Sequence, residues 1–333
     1  MSWGEIREKD GAQELMTASM KVAILLLVTP TAAFRAVNTL SPRPLVVTTA
    51  SSYFRGGVPP IASLPAVATL ATACIAPTLL GYWKTEYGVS YAYGAAMATF
   101  GALLLPTAAA SGSLATAHAL VLILYGVRLN GFLLFRELNV ERFRTFREKI
   151  EARTKKQGNR LARTPFVLGC SFLYYCMGAP TMLTAAAPAT SGSLKVVQAL
   201  AIGFAYIGFG VAAVGDAQKY IAKAKGGENT LVRTGVYKYL RHPNYTGELL
   251  LWLSSVVAAL AAAPAALASG MPVRSIAGWL TASIVGFAGI GFVLINAATG
   301  LEKKQKEKYG TANGQGGGPY EAWVATTWAG PTK

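Results

Sequence analysis

Charge is scarce in this chain, and negative charge is scarcer still: 14% of the 333 residues are charged, with 15 acids against 31 lysines and arginines. So few charges exclude a disordered polyelectrolyte, and they do not suffice to coat an ordinary soluble domain. Histidine and cysteine are also rare, at two and three residues. Cys74, Cys170 and Cys176 lie inside apolar blocks without metal-ligand spacing, so they read as small hydrophobes, and neither a zinc centre nor a disulfide framework is expected. What the chain does have is apolar residues, 53% of the total. They fall in blocks too long for soluble core helices, which places the chain among polytopic α-helical membrane proteins.

Seven blocks are long enough to cross a hydrocarbon layer of ~30 Å. They run from Ile61 to Trp83, Ser90 to Ala110, Ser113 to Phe135, Pro165 to Pro188, Leu194 to Gly215, Tyr245 to Gly270 and Ser275 to Gly300. Basic residues test this count, because loops on the cytosolic side of a membrane collect Lys and Arg. Segments after the odd-numbered blocks hold 22 of them, and those after the even-numbered blocks hold 2, Arg274 and, at the edge of the fifth block, Lys195. Arg136 to Thr164, Asp216 to Asn244 and Leu301 to Lys333 therefore share one cytosolic or stromal side. The net charge of +16 follows from this bias and from attraction to anionic lipid head groups, so no nucleic-acid partner is expected.

Residues 1–57 read as a targeting region ahead of a membrane domain over 58–333. Met20-Lys21-Val22 and the following AILLLVTPTAA have the basic start, short apolar run and small residues of a signal peptide over about 20–33. Cleavage between Ala33 and Phe34 resembles the junction used by algae with secondary plastids. Residues 34–57, basic and hydroxylated without an acid from Arg35 on, read as transit-like. A plastid membrane is the expected location, with the endoplasmic reticulum as the alternative. A short eighth membrane helix or a tail is the plainer account of the same residues.

Polar residues that membrane helices ordinarily avoid point to a site. Pro243 and Asn244 are expected to break the chain just before the sixth block, leaving Arg241, His242, Asn244 and Tyr245 at its N-terminal entrance. Tyr245, Glu248 and Trp252 then repeat at i, i+3 and i+7 on one helical face. A carboxylate at that depth costs ~2.5 kcal/mol or more unless paired, so Glu248 is either functional or snorkels to the interface. Arg128, about two turns inside the third block, requires an anionic partner or must itself snorkel. Asp216, Lys219, Asn229, Arg233, Lys238 and Arg241 form a rim suited to phosphate groups or to anionic lipid. Glu302, Lys303, Lys304, Lys308 and Tyr309 follow the seventh block directly.

Taken together, these residues resemble a superfamily of membrane enzymes that includes steroid 5-alpha-reductases, sterol C14-reductases and isoprenylcysteine carboxyl methyltransferases. The resemblance rests on RL within YGVRLNGFLLFR, on D-x-Q-K at Asp216 to Lys219, on TGVYKYLRHPNYTGE with Trp252, and on LEKKQKEKYG followed by Tyr320. It covers about 113–332 and is nearest the branch with a domain of unknown function and a steroid-reductase-like C-terminal half. It implies a cofactor-binding half in which Asn244, Tyr245 and Glu248 hold the nicotinamide end of NADPH. Tyr237, His242, Arg241 and Arg233 would line the rest of the cavity, and Asp216, Glu302 and Tyr309 would close it. Arg128, Lys219 and Asn229 complete the expected cofactor set, and Glu248, Tyr245 and His242 are the expected catalytic residues.

The expected function is NADPH-dependent reduction of an activated carbon-carbon double bond in a lipophilic sterol-, enone- or polyprenoid-like substrate, an oxidoreductase acting on CH-CH groups. The methyltransferases of the superfamily usually have Ser where this chain has Asn244, and a basic rim suits a polyanion better than the sulfonium of S-adenosylmethionine. An S-adenosylmethionine-dependent isoprenoid or lipid methyltransferase remains the rival enzyme, and a non-catalytic scaffold or lipid-binding protein the rival of another class. Membrane lipids are the expected surroundings, and no obligate protein partner is evident.

Overall fold

The structure is a computed structural model, and it describes residues 64–155, 159–188, 190–310, 318–330 and 332. The expected targeting region, 1–57, lies outside the described residues. Among those described the chain is helical throughout, with no strand beyond a single parallel bridge between Leu240 and Trp328.

The helices are α1 (Val67–Thr78), α2 (Leu80–Trp83), α3 (Thr85–Val89), α4 (Tyr91–Ser111), α5 (Ser113–Asn139) and α6 (Glu141–Lys155). After them come α7 (Thr164–Ala186), α8 (Gly192–Gly226), α9 (Pro243–Ala268), α10 (Val273–Tyr309) and α11 (Pro319–Thr326). Among the described residues six helical stretches are long and apolar enough to cross a membrane: Thr85–Ser111, Ser113–Asn139, Arg160–Ala186, Gly192–Gly226, Pro243–Ala268 and Val273–Tyr309. Each matches one expected block. The remaining block, Ile61 to Trp83, coincides with the shorter apolar stretch Val67–Trp83, where α1 contains Pro77 and gives way to α2 at Leu79.

Two of the six helices run well past their apolar blocks. The loop expected from Asp216 begins only after Gly226, and the tail expected from Leu301 stays helical to Tyr309. Hydrocarbon length decides where the apolar run must end but not where the helix does. Ala, Lys, Gln and Glu, which fill both extensions, are good helix formers in water. Asp216, Lys219, Glu302 and Tyr309 consequently stand on rigid helices.

The chain divides into two compact units. Among the described residues, one takes in those within 64–205 and 249–293, the other those within 206–248 and 294–332, so α8, α9 and α10 each supply a stretch to both. In the first, α4 packs on α5, α7 and α1. Glycine allows these approaches: a Cβ on Gly101 would sit 2.8 Å from the Ala119 carbonyl, and one on Gly178 would sit 2.7 Å from the Phe100 ring. In lipid, where apolar burial gives helices little reason to associate, such close backbone contact supplies the packing. Buried hydroxyls pair across helices, as Thr78 does with Ser171 at 2.6 Å and His118 Nδ1 with Thr184 at 2.9 Å. An aromatic layer of Tyr93, Tyr125, Tyr174 and Trp252 fills the interior; Tyr93 stacks on Tyr174 at 5.3 Å and Tyr125 meets Trp252 edge-on at 5.4 Å.

In the second unit, the first turn of α9 packs on α8. A Cβ at Gly247 would meet the Ala212 nitrogen at 2.6 Å, and one at Gly215 would meet the Pro243 ring at 2.8 Å.

Candidate functional site

The second unit gathers most of the residues singled out from the sequence. Pro243 occupies the first position of α9, where its missing N–H costs no hydrogen bond and its fixed φ favours the helix. Arg241 and His242 are thereby held immediately outside the helix. Both are buried. They meet one acid: Arg241 Nε donates to Glu302 Oε1 at 2.6 Å, and His242 Nε2 lies 2.6 Å from Glu302 Oε2. Glu302 reaches them because α10 continues past its apolar block.

Arg241 is further committed through Nη1, which donates to the Thr327 carbonyl at 2.7 Å and the Val324 carbonyl at 3.0 Å. It therefore pins the C-terminal segment. That segment also inserts Trp323, whose Nε1 donates to the Tyr237 carbonyl at 2.7 Å. Trp323, Tyr320, Tyr237 and Val232 make the unit's apolar core. Tyr237 enters it from a short 3-10 turn (Gly235–Lys238) that opens on Gly235, at φ +63, a conformation glycine adopts without strain. The Tyr237 hydroxyl donates to the Gly215 carbonyl at 3.1 Å.

Electrostatic neighbours extend the cluster. Burial pushes the His242 imidazole below its ordinary value, and Lys219 and Arg241 push it the same way while Glu302 opposes them. Burial thus favours the neutral ring. If Nε2–H is the donor to Glu302, Nδ1 is left as an acceptor, and that buried nitrogen has no partner among the described residues. Burial raises the Tyr237 phenol, and the nearby Asp216 and Tyr245 add to it. Asn244, Tyr245 and Glu248 are half-buried on the first turns of α9.

Other expected site residues stand apart from this node or have different tasks. Asn229 is exposed in the loop after α8. Arg233 is also exposed and donates to the Pro319 carbonyl at 3.3 Å. Tyr309 donates to the Thr230 carbonyl at 3.3 Å. Arg128 belongs to the first unit, where its guanidinium lies 5.3 Å from the centre of the Phe132 ring. Trp252 belongs there too, inside the aromatic layer.

Comparison with known families gives one match, over residues 79–312, to a model described as a protein of unknown function (DUF1295). The chain belongs to the DUF1295 family. No curated protein and no solved structure matches it. The DUF1295 match takes in Asp216, Arg241, His242, Glu248 and Glu302 but stops before α11, so the segment that Arg241 pins lies beyond the matched range.

A second polar node in this DUF1295 chain was not anticipated from the sequence. In the first unit Arg147, from α6, is buried between the rings of Tyr87 and Tyr91, 4.9 Å from each centre. It pairs with Glu86 at 2.9 Å and with Glu137, which also accepts from both tyrosine hydroxyls. Next to it Arg163 pairs with Glu151 at 3.0 Å. The available signal was acidic: Glu86, Glu137 and Glu151 stand in segments otherwise dominated by lysine and arginine. An open recess of about 390 Å³ borders Arg163 and Phe166 but contains none of the residues expected at the site.

Proposed function

We propose that this chain is an NADPH-dependent membrane reductase of an activated carbon-carbon double bond in a lipophilic substrate. What carries the proposal is convergence. Asp216 and Lys219, Tyr237 to Glu248, Glu302, and Tyr320, which are most of the residues on which the reductase resemblance rests, fall in one compact unit around His242 and Glu302, while Arg128 and Trp252 belong to the other.

The residues fit the cofactor in two respects. His242 Nδ1 offers a buried acceptor for a carboxamide N–H or a ribose hydroxyl. Lys219 supplies a positive charge beside it, and Asn244, Tyr245 and Glu248 stand on the adjoining turns of α9. Arg241 is assigned a positioning role, because Glu302 takes its Nε donor and the Val324 and Thr327 carbonyls take Nη1. Bound NADPH supplies the hydride. For the chain, Glu302 fixes the ring orientation of His242, the tail segment excludes water, and Glu248 or Tyr245 holds the proton that completes reduction.

Thermal unfolding of the purified protein with NADPH, with S-adenosylmethionine and with neither tests the proposal, since a ligand that binds the folded state stabilises it. Stabilisation by NADPH alone is expected, and Glu248→Ala should remove it while the protein remains folded in detergent. A shift with S-adenosylmethionine alone would identify a methyltransferase, and a shift with neither would favour a scaffold.

A further inference from the structure

Unit 206–248 with 294–333 sorts its aromatic residues into two sets. Tyr237, Tyr320 and Trp323 are buried together. Tyr239 and Trp328 are 68% and 62% exposed, although each is close in sequence to a member of the buried set. They are held by the same backbone device: Trp328 N–H donates to the Tyr239 carbonyl at 3.0 Å, and Arg241 N–H returns a bond to the Trp328 carbonyl at 3.0 Å. The bridge between Leu240 and Trp328 keeps these segments side by side.

The position of this pair along the chain fixes its depth. Three residues after Leu240 the chain enters α9, which is apolar enough to cross a membrane, and beyond Trp328 the tail reaches its first turn, where Gly330 lies against Thr246. Two large exposed aromatics at the mouth of a crossing helix stand at the level where Trp and Tyr are enriched, with the apolar ring in the acyl boundary and the polar tip among head groups. Lys238, its Nζ 5.9 Å from the Tyr239 ring centre, adds a cation that suits lipid phosphate.

We infer that Tyr239 and Trp328 form a bilayer anchor whose occupant is the phospholipid head-group layer on the positively charged side, and that it clamps the C-terminal segment over Arg241 and Glu302. Membrane attachment and the integrity of the polar node are then linked through the Thr327 and Val324 carbonyls that Arg241 holds. The inference needs only the membrane assignment and stands whether or not the chain is a reductase.

The test compares the full-length protein with its Trp328→Phe variant in nanodiscs carrying one copy each, made with ordinary or brominated phosphatidylcholine. The emission removed by the substitution belongs to Trp328 and should be quenched about twofold or more by the brominated lipid, as expected of a ring at the interface. Emission from Trp328 that aqueous iodide quenches and brominated lipid does not would overturn the anchor. So would protection from both quenchers that appears only in discs carrying two copies, which would mark a contact between chains. Unfolding temperatures of the two proteins in detergent should agree, because the exposed ring contributes little to the core. In nanodiscs the variant should unfold earlier, and equal stability there would refute the clamp.

Discussion

At the scale of single residues, Arg241 departs most from expectation. Its place in an anion-friendly rim suggested phosphate binding, yet its Nε is taken by Glu302 and its Nη1 by the carbonyls of Val324 and Thr327. Removing one partner of a buried ion pair leaves the other uncompensated, and typically costs about 3 kcal/mol. Arg241→Ala should therefore lower the unfolding temperature in the absence of any nucleotide. A variant as stable as wild type but weakened in NADPH-induced stabilisation would return Arg241 to the cofactor. His242 and Glu248 were visible in the sequence because ionisable residues beside a membrane helix need a reason to be there. Glu302 as the partner of His242 was not, since 60 positions separate them and only the folded chain brings them to 2.6 Å.

At the scale of elements, seven apolar blocks announced seven crossings, because a chain in lipid must satisfy its backbone hydrogen bonds internally, and among the described residues six helical stretches are long enough while Val67–Trp83 is shorter. The watery ends of α8 and α10 were not announced by hydropathy, which is silent about helices outside the hydrocarbon. Helix α6 shows the same limit. Its sequence, ERFRTFREKIEARTK, reads as a basic loop, but Arg147 and Glu151 anchor it through buried ion pairs to Glu86, Glu137 and Arg163. Arg147→Leu would leave Glu86 and Glu137 without the cation they share, a change of roughly 3 kcal/mol against the fold. Limited trypsin digestion should then cut within Glu141–Lys155 faster than in wild type. Unchanged cleavage would show that Arg147 does not hold the helix in place.

At the scale of the whole molecule, the asymmetry of 22 basic residues against 2 predicts the orientation of the crossings. Ser191, before α8, and Asn229, after it, are both exposed, and they should lie on opposite faces of the membrane. Single cysteines at these two positions should differ in reaction with an impermeant maleimide in sealed, oriented vesicles. Labelling of both from the same side would overturn the topology.

The sequence by itself determined the solvent of this protein and the places of its six long apolar helices, though it counted the shorter stretch Val67–Trp83 as a seventh. Each follows from local composition weighed against hydrocarbon, a comparison that needs no knowledge of which residues touch. The tertiary structure decided which charges belong together: Glu302 with Arg241 and His242, Arg147 with Glu86 and Glu137, and the tail segment against Tyr237. Pairing depends on distances between residues far apart in the chain, and those exist only once the helices have packed.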